Sequence, residues 1–233
     1  ININIGTTVK GAVDNLYGVI GVLQQLNIPR DKYYIHCDGA LFAMMLPFLD
    51  QKNILTIDFN LPIDSISISG HKFLGTPMPC GIIITRKYLM KKINNPIEYL
   101  NSVDNTITGS RNGHSSLYIW NVIKNKGVEG FKNDVKKTME NAKYIEKELQ
   151  QRNISSYRNN LSSTIIFERP NEHIVQKWQL AVIGDIAHIV VMPSVTKDKL
   201  NLFLKDLEDV YVTEKKCLKK YMSHYCKCQS CKE

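Results

Sequence analysis

Three apolar, strand-like runs in the N-terminal part of the chain each end in a short polar cluster, and this recurrence limits the fold more than any single motif. Residues 1–5 lead into Gly6-Thr7-Thr8, residues 33–37 into the cluster His36-Cys37-Asp38-Gly39-Ala40, and residues 63–69 into Ser69-Gly70-His71-Lys72-Phe73. Between the first two runs, Val13, Leu16, Ile20 and Leu23 recur at helical spacing until Asn27-Ile28-Pro29 stops the pattern. Strand alternating with helix predicts an α/β fold with a mainly parallel sheet. In such sheets functional side chains gather beyond the carboxyl ends of the strands, where all three clusters fall. In the third run Ile66 and Ile68 share one face while Ser65, Ser67 and Ser69 take the other. Residues 81–85 are apolar throughout and predict a fourth strand, covered on both faces.

Farther on, Phe131, Val135, Met139, Ala142, Ile145 and Leu149 form one stripe of a long amphipathic helix. After it the pattern predicts a strand at 164–167, a helix at 172–181, a strand at 186–192 and a helix from 196 to about 210. Thr196 is the expected N-cap of that last helix, with Leu200, Phe203 or Leu204, and Leu207 facing inward. The organisation read from this is residues 1–130 as part of a larger domain, 131–150 as a connecting helix and 151–212 as a small α+β C-terminal domain. Residues 213–233 form a basic, Cys-containing tail.

The formal net charge is +8, but the basic residues are spread through the chain except at its end, and no basic helix carries interleaved aromatics. Nucleic acid is therefore not an expected partner. The longest apolar stretch, residues 39–49 interrupted by Pro47, falls short of the roughly 18 residues a membrane span requires, so no membrane is expected. The opening residues alternate like a strand and lack the basic-then-apolar pattern of a signal peptide, which reads as a chain cut from something longer. Cys37 and Cys80 read as small buried hydrophobes, and without a secretory pattern a reducing, cytoplasmic setting is expected. In the tail, His224, Cys226, Cys228 and Cys231 could offer soft zinc ligands. They lack the long separation between ligand pairs that zinc sites use, so a cationic tail without metal is the plainer reading.

Taken singly, Asp38 reads as a cap or turn residue, Lys72 as a solvated loop lysine and His71 as a hydrogen-bonded structural histidine. Taken together they suit pyridoxal 5'-phosphate, which needs a lysine for a Schiff base, an acid against its pyridine nitrogen and polar donors for its phosphate. Lys72 would supply the amine, and burial beside His71 would favour its neutral, nucleophilic form. Asp38 would keep the ring nitrogen protonated. The small Gly39 and Ala40 would let a flat ring approach the backbone.

The runs Asn4-Ile5-Gly6-Thr7-Thr8-Val9-Lys10-Gly11-Ala12-Val13-Asp14, Tyr34-Ile35-His36-Cys37-Asp38-Gly39-Ala40-Leu41, Ser67-Ile68-Ser69-Gly70-His71-Lys72-Phe73-Leu74-Gly75 and Thr108-Gly109-Ser110-Arg111-Asn112-Gly113-His114 occur in that order. They closely resemble the group II pyridoxal-phosphate-dependent amino-acid decarboxylases, in the branch of plant-type serine decarboxylases and bacterial histidine decarboxylases. The likeness runs from residue 1 to about 212. It implies a PLP-dependent transferase type I (aminotransferase-like) fold, with the C-terminal part of the cofactor-binding large domain in 1–130. It also implies a homodimer with shared active sites.

By the same resemblance Lys72, His71 and Asp38 are catalytic: Lys72 matches the Schiff-base lysine, Asp38 the acid on the pyridine nitrogen, and His71 a histidine near the phosphate and reacting centre. Ser69 falls where the family places a phosphate-binding side chain, Thr8 where a threonine approaches the ring, and Ala40 where the ring face is packed. Ser110 is either a further phosphate ligand or simply part of a Gly-Ser turn. The implied reaction is decarboxylation of an L-amino acid, serine or histidine, to the amine and CO2. The family's phosphate loop and ring-stacking side chain lie in an N-terminal portion with no counterpart here, and neither Trp120 nor Trp178 falls where a stacking residue should. The alternative expectation is therefore a truncated, inactive remnant that acts as a binding or interaction protein.

Overall fold

A computed structural model describes residues 1–49, 57–106 and 109–208; the cysteine-bearing tail, with His224, Cys226, Cys228 and Cys231, lies outside the described residues. The chain divides into two compact units. One holds Ile1–Ile5, Val13–Pro47 and the chain up to Gly130, and the other holds Gly6–Ala12, a short piece beginning at Phe48, and the chain from Phe131 onward.

The first unit is built on a four-stranded sheet of β1 (Asn2–Asn4), β2 (His36–Asp38), β3 (Ser65–Ser69) and β4 (Gly81–Thr85), in that spatial order. β1, β2 and β3 are parallel and β4 runs antiparallel to β3. Ile3, Cys37 and Ile66 align across the three parallel strands, and all three are buried, as are Ile35, Ile63 and Ile68. Parallel pairing also brings the carboxyl ends of β2 and β3 to the same side of the sheet, which places the second and third predicted clusters together.

The helix α1 (Leu16–Gln25) begins later than the apolar spacing suggests. The Asp14 carboxylate accepts hydrogen bonds from the Asn4 backbone N–H at 2.8 Å and side-chain amide at 2.9 Å, and Val13 bridges to Ile5, so residues 13 and 14 stay extended. Asn15 then caps the helix by accepting the Gly18 N–H at 2.9 Å. The expectation for β4 fails in a more instructive way. Ile83 is 62% exposed and Ile84 46%, and since neighbouring side chains of a strand point to opposite faces, neither face of β4 is covered at these positions. An apolar run signals burial only if something covers it.

The first unit continues through the short helix α2 (Lys87–Met90) and a hairpin of β5 (Asn95–Ile97) and β6 (Ser102–Asp104). A helical run, α3 (Gly113–Gln151), follows and is broken at Gly127, whose φ of 56° and ψ of −172° lie in space that favours glycine. From Phe131 onward this run carries the predicted stripe, and Phe131, Val135, Met139, Ala142, Ile145 and Leu149 are all buried.

In the second unit an antiparallel sheet has the order β7-β8-β10-β9, from β7 (Ser156–Arg158), β8 (Thr164–Glu168), β9 (Ala181–Ile183) and β10 (Ile186–Val190). Ala142, Ile145 and Leu149 pack with Ile165, Phe167 and Ala187, and with Leu200, Phe203, Leu204 and Leu207 of α5 (Lys197–Glu208). Thr196 accepts the Lys199 N–H at 3.3 Å, as a cap should. The helix α4 (Glu172–Trp178) is shorter than its pattern: Gln179 turns left-handed at φ 52° and Ala181–Ile183 pairs with β10 instead. Arg158 is buried, pairs with Glu146 at 2.9 Å and donates to the carbonyls of Asn159, Asn160 and Ser162.

Candidate active site

Asp38 is the last residue of β2 and is exposed. Its Oδ1 accepts the Ala40 backbone N–H at 3.2 Å and lies 3.5 Å from the Ser67 hydroxyl, so one carboxylate oxygen is oriented by the protein while the group stays open to a ligand. Two backbone bonds stitch this turn to β3: Gly39 N–H to the Ser67 carbonyl at 3.1 Å and Ser69 N–H to the Ala40 carbonyl at 2.8 Å. Asp38, Ala40 and Ser69 therefore form one patch at the ends of adjacent parallel strands, with Ala40 and Ser69 half-buried. Beneath them Cys37 is fully buried, and burial pushes its thiol up to about 11, which keeps it a neutral packing group. Gly39 has a packing reason to be small, since a Cβ there would come within 2.4 Å of the Ala43 side chain.

Lys72 is the third residue after β3, in a turn that runs from 70 to 80. Phe73 and Leu74 are buried and anchor the turn, while His71 and Lys72 point outward and are exposed. The expected burial of Lys72 beside His71 is thus not found; the turn projects beyond the sheet end, and the apolar pair after it takes the buried positions. Gly70 N–H donates to the Cys80 carbonyl and Thr76 N–H to the Gly70 carbonyl, both at 3.0 Å, closing the turn on itself. Cys80 is only half-buried, unlike its sequence reading, and its Sγ would meet a Cβ on Gly70 at 2.4 Å. Gly70→Ala should therefore destabilise by about 1–3 kcal/mol. The loss should shrink in a Cys80→Ala background, a coupling that a double-mutant cycle in denaturant would measure.

Ser110 and Thr8 complete the predicted set. Ser110 is exposed in a bend that Arg111 organises by donating to Asp104 and Thr106 and, at 2.5 Å, to the Gly109 carbonyl. Asn112 Nδ2 lies 2.9 Å from Met78 Sδ, which brings this bend against the turn that follows Lys72. Thr108 is outside the described residues. Thr8 is exposed and belongs to the second unit, in a loop closed by the Gly11 N–H donating to the Thr7 carbonyl at 2.7 Å and the Ala12 N–H to the Thr7 hydroxyl at 3.0 Å. Sequence reasoning passed over Thr76, Arg111 and Asn112, whose partners are set by loop closure and leave no periodic trace.

The model of the pyridoxal-dependent decarboxylase conserved domain matches residues 1–161. The chain is 50% identical over 214 residues to serine decarboxylase 1 of Oryza sativa subsp. japonica, covering 91% of this chain and 44% of that protein. The chain belongs to the pyridoxal-dependent decarboxylase family. A histidine decarboxylase of Solanum lycopersicum is 46% identical over 208 residues, covering 89% of this chain and 50% of that protein. The crystal structure of L-methionine decarboxylase from Streptomyces sp. 590 superposes with a TM-score of 0.79 at 27% identity, covering 91% of this chain and 53% of that one. The chain thus spans about half the length of the curated relatives it matches. Its donor set suits the cofactor for which the family is named: an exposed primary amine can bond an aldehyde, and an exposed carboxylate with one oxygen held can face a pyridine nitrogen.

Proposed function

We propose that this chain carries the lysine and acid side of a pyridoxal 5'-phosphate-dependent amino-acid decarboxylase, with Lys72, Asp38 and His71 as its catalytic residues. The observation that carries the reading is the placement of Asp38 and the Lys72 turn at the carboxyl ends of neighbouring parallel strands, stitched by backbone bonds of 2.8 and 3.1 Å. When bound, the cofactor supplies an electron sink for the pair left at the substrate α-carbon as CO2 departs. Lys72 supplies the amine that anchors it, and its exposure leaves room for an incoming substrate amine. Asp38 holds a proton on the ring nitrogen, with Oδ1 oriented by the Ala40 N–H. Ser69, Thr8, Ala40 and Ser110 remain the proposed contacts to the phosphate and ring.

Serine and histidine are the proposed substrates, supported by identity to decarboxylases of each. A homodimer with shared sites and a cytoplasmic setting belong to the same proposal, the latter supported by free thiols at Cys37 and Cys80. The similarity to decarboxylases favours this reading over a binding remnant. Reduction of the chain with borohydride in the presence of pyridoxal phosphate, then peptide mass mapping, should place the label on Lys72. Label absent from Lys72, or spread evenly over surface lysines, would overturn the assignment.

A further inference from the structure

His71 Nδ1 lies 3.2 Å from the Cys80 backbone nitrogen and 3.3 Å from the Cys80 carbonyl oxygen. The two contacts demand opposite protonation of the same ring atom. Backbone accounting decides between them. The Cys80 carbonyl already accepts the Gly70 N–H at 3.0 Å, whereas the Cys80 N–H donates to His71 Nδ1 at 3.2 Å. An amide N–H can only donate, so Nδ1 must accept, and the proton of the neutral ring then sits on Nε2.

Cys80 is itself held by a side chain. Thr76 is buried, donates from Oγ1 to the Met78 carbonyl at 3.0 Å, and its Oγ1 lies 3.3 Å from Cys80 Sγ. Its backbone N–H closes the turn onto Gly70. Those contacts set where the Cys80 amide stands relative to the imidazole.

We propose that the Cys80 backbone amide holds His71 as the Nε2–H tautomer, a fixed hydrogen-bond donor beside Lys72, and that Thr76 is the positioning residue that keeps this amide in place. The inference rests on His71 being a site residue. It deepens that reading by giving the ring a direction: Nε2 offers a proton to an anionic oxygen and is not free to accept one.

The test is a long-range ¹⁵N–¹H spectrum of histidine-labelled protein at about pH 9, above the reference imidazole value of about 6.5. The His71 signals are identified by their loss in His71→Asn. The expected pattern is Nε2–H in the parent and in Thr76→Ser, which keeps the hydroxyl, and a mixture of both tautomers in Thr76→Val. A parent ring protonated on Nδ1, or divided between the two nitrogens, would overturn the tautomer assignment. A folded Thr76→Val with the parent pattern would overturn the role of Thr76. If Thr76→Val does not fold by circular dichroism, Cys80→Ala removes the other partner of the Oγ1–Sγ contact and is judged by the same two outcomes. The spectrum needs no cofactor, so a Lys72 that takes no borohydride label would sink the cofactor reading without altering this result.

Discussion

Lys72→Ala should abolish the borohydride-reducible attachment of pyridoxal phosphate and lower turnover in the proposed decarboxylation by on the order of 10³-fold or more, the scale on which loss of a covalent group is felt. The same change should leave stability within about 0.5 kcal/mol, because the side chain is exposed and the turn is anchored by its neighbours Phe73 and Leu74. A large functional loss with no structural loss is the signature to look for. Lys72→Arg separates covalent from electrostatic roles: it keeps the positive charge but offers a guanidinium that stays protonated, so it should also take no label. Mass mapping of the reduced protein and a thermal melt of each variant supply both measurements. A labelled Lys72→Ala chain, or a melt lowered by many degrees, would mean that Lys72 is one lysine among several or part of the scaffold.

The second large effect lies in the other unit and concerns stability. Arg158→Ala should destabilise by about 3–5 kcal/mol, the range for breaking a buried ion pair from one side. The Arg158 side chain is only 7% exposed and that of Glu146 21%, so the carboxylate left behind would be poorly solvated. Three backbone carbonyls, of Asn159, Asn160 and Ser162, would lose a charged donor in the same step. Those carbonyls belong to the turn that leads into β8, whose Ile165 and Phe167 are fully buried in the core against α5. A urea midpoint shift worth less than about 1 kcal/mol would show instead that the pair contributes no more than a surface bridge does.

Legibility in the sequence followed the physics of periodic burial. The stripe from Phe131 to Leu149 is buried as its spacing predicts, and Leu200, Phe203, Leu204 and Leu207 behave likewise, because one face of each helix meets a core. The starts and ends of elements were less legible. Val13 stays extended because Asp14 is held by Asn4, a partner ten residues away, and the predicted end of α4 is cut short because residues 181–183 pair with β10. Exposure of Ile83 and Ile84 is likewise a matter of what lies beside β4, which no local pattern encodes.

For the candidate site, the residue types were in the sequence and the geometry was not. Asp38, Ser69 and Lys72 could be picked out because each follows an apolar strand run, and the motifs around them carry the resemblance to the family. Only the tertiary structure decided that the end of β2 at Asp38 lies beside the end of β3, from which the Lys72 turn departs, through backbone bonds between parallel strands that are far apart in the chain. It also decided that His71 and Lys72 face outward while Phe73 and Leu74 turn in, and that His71 meets the Cys80 amide. Side-chain chemistry is a property of single residues and short patterns, whereas exposure, tautomer and hydrogen-bond direction depend on neighbours that only folding brings within reach.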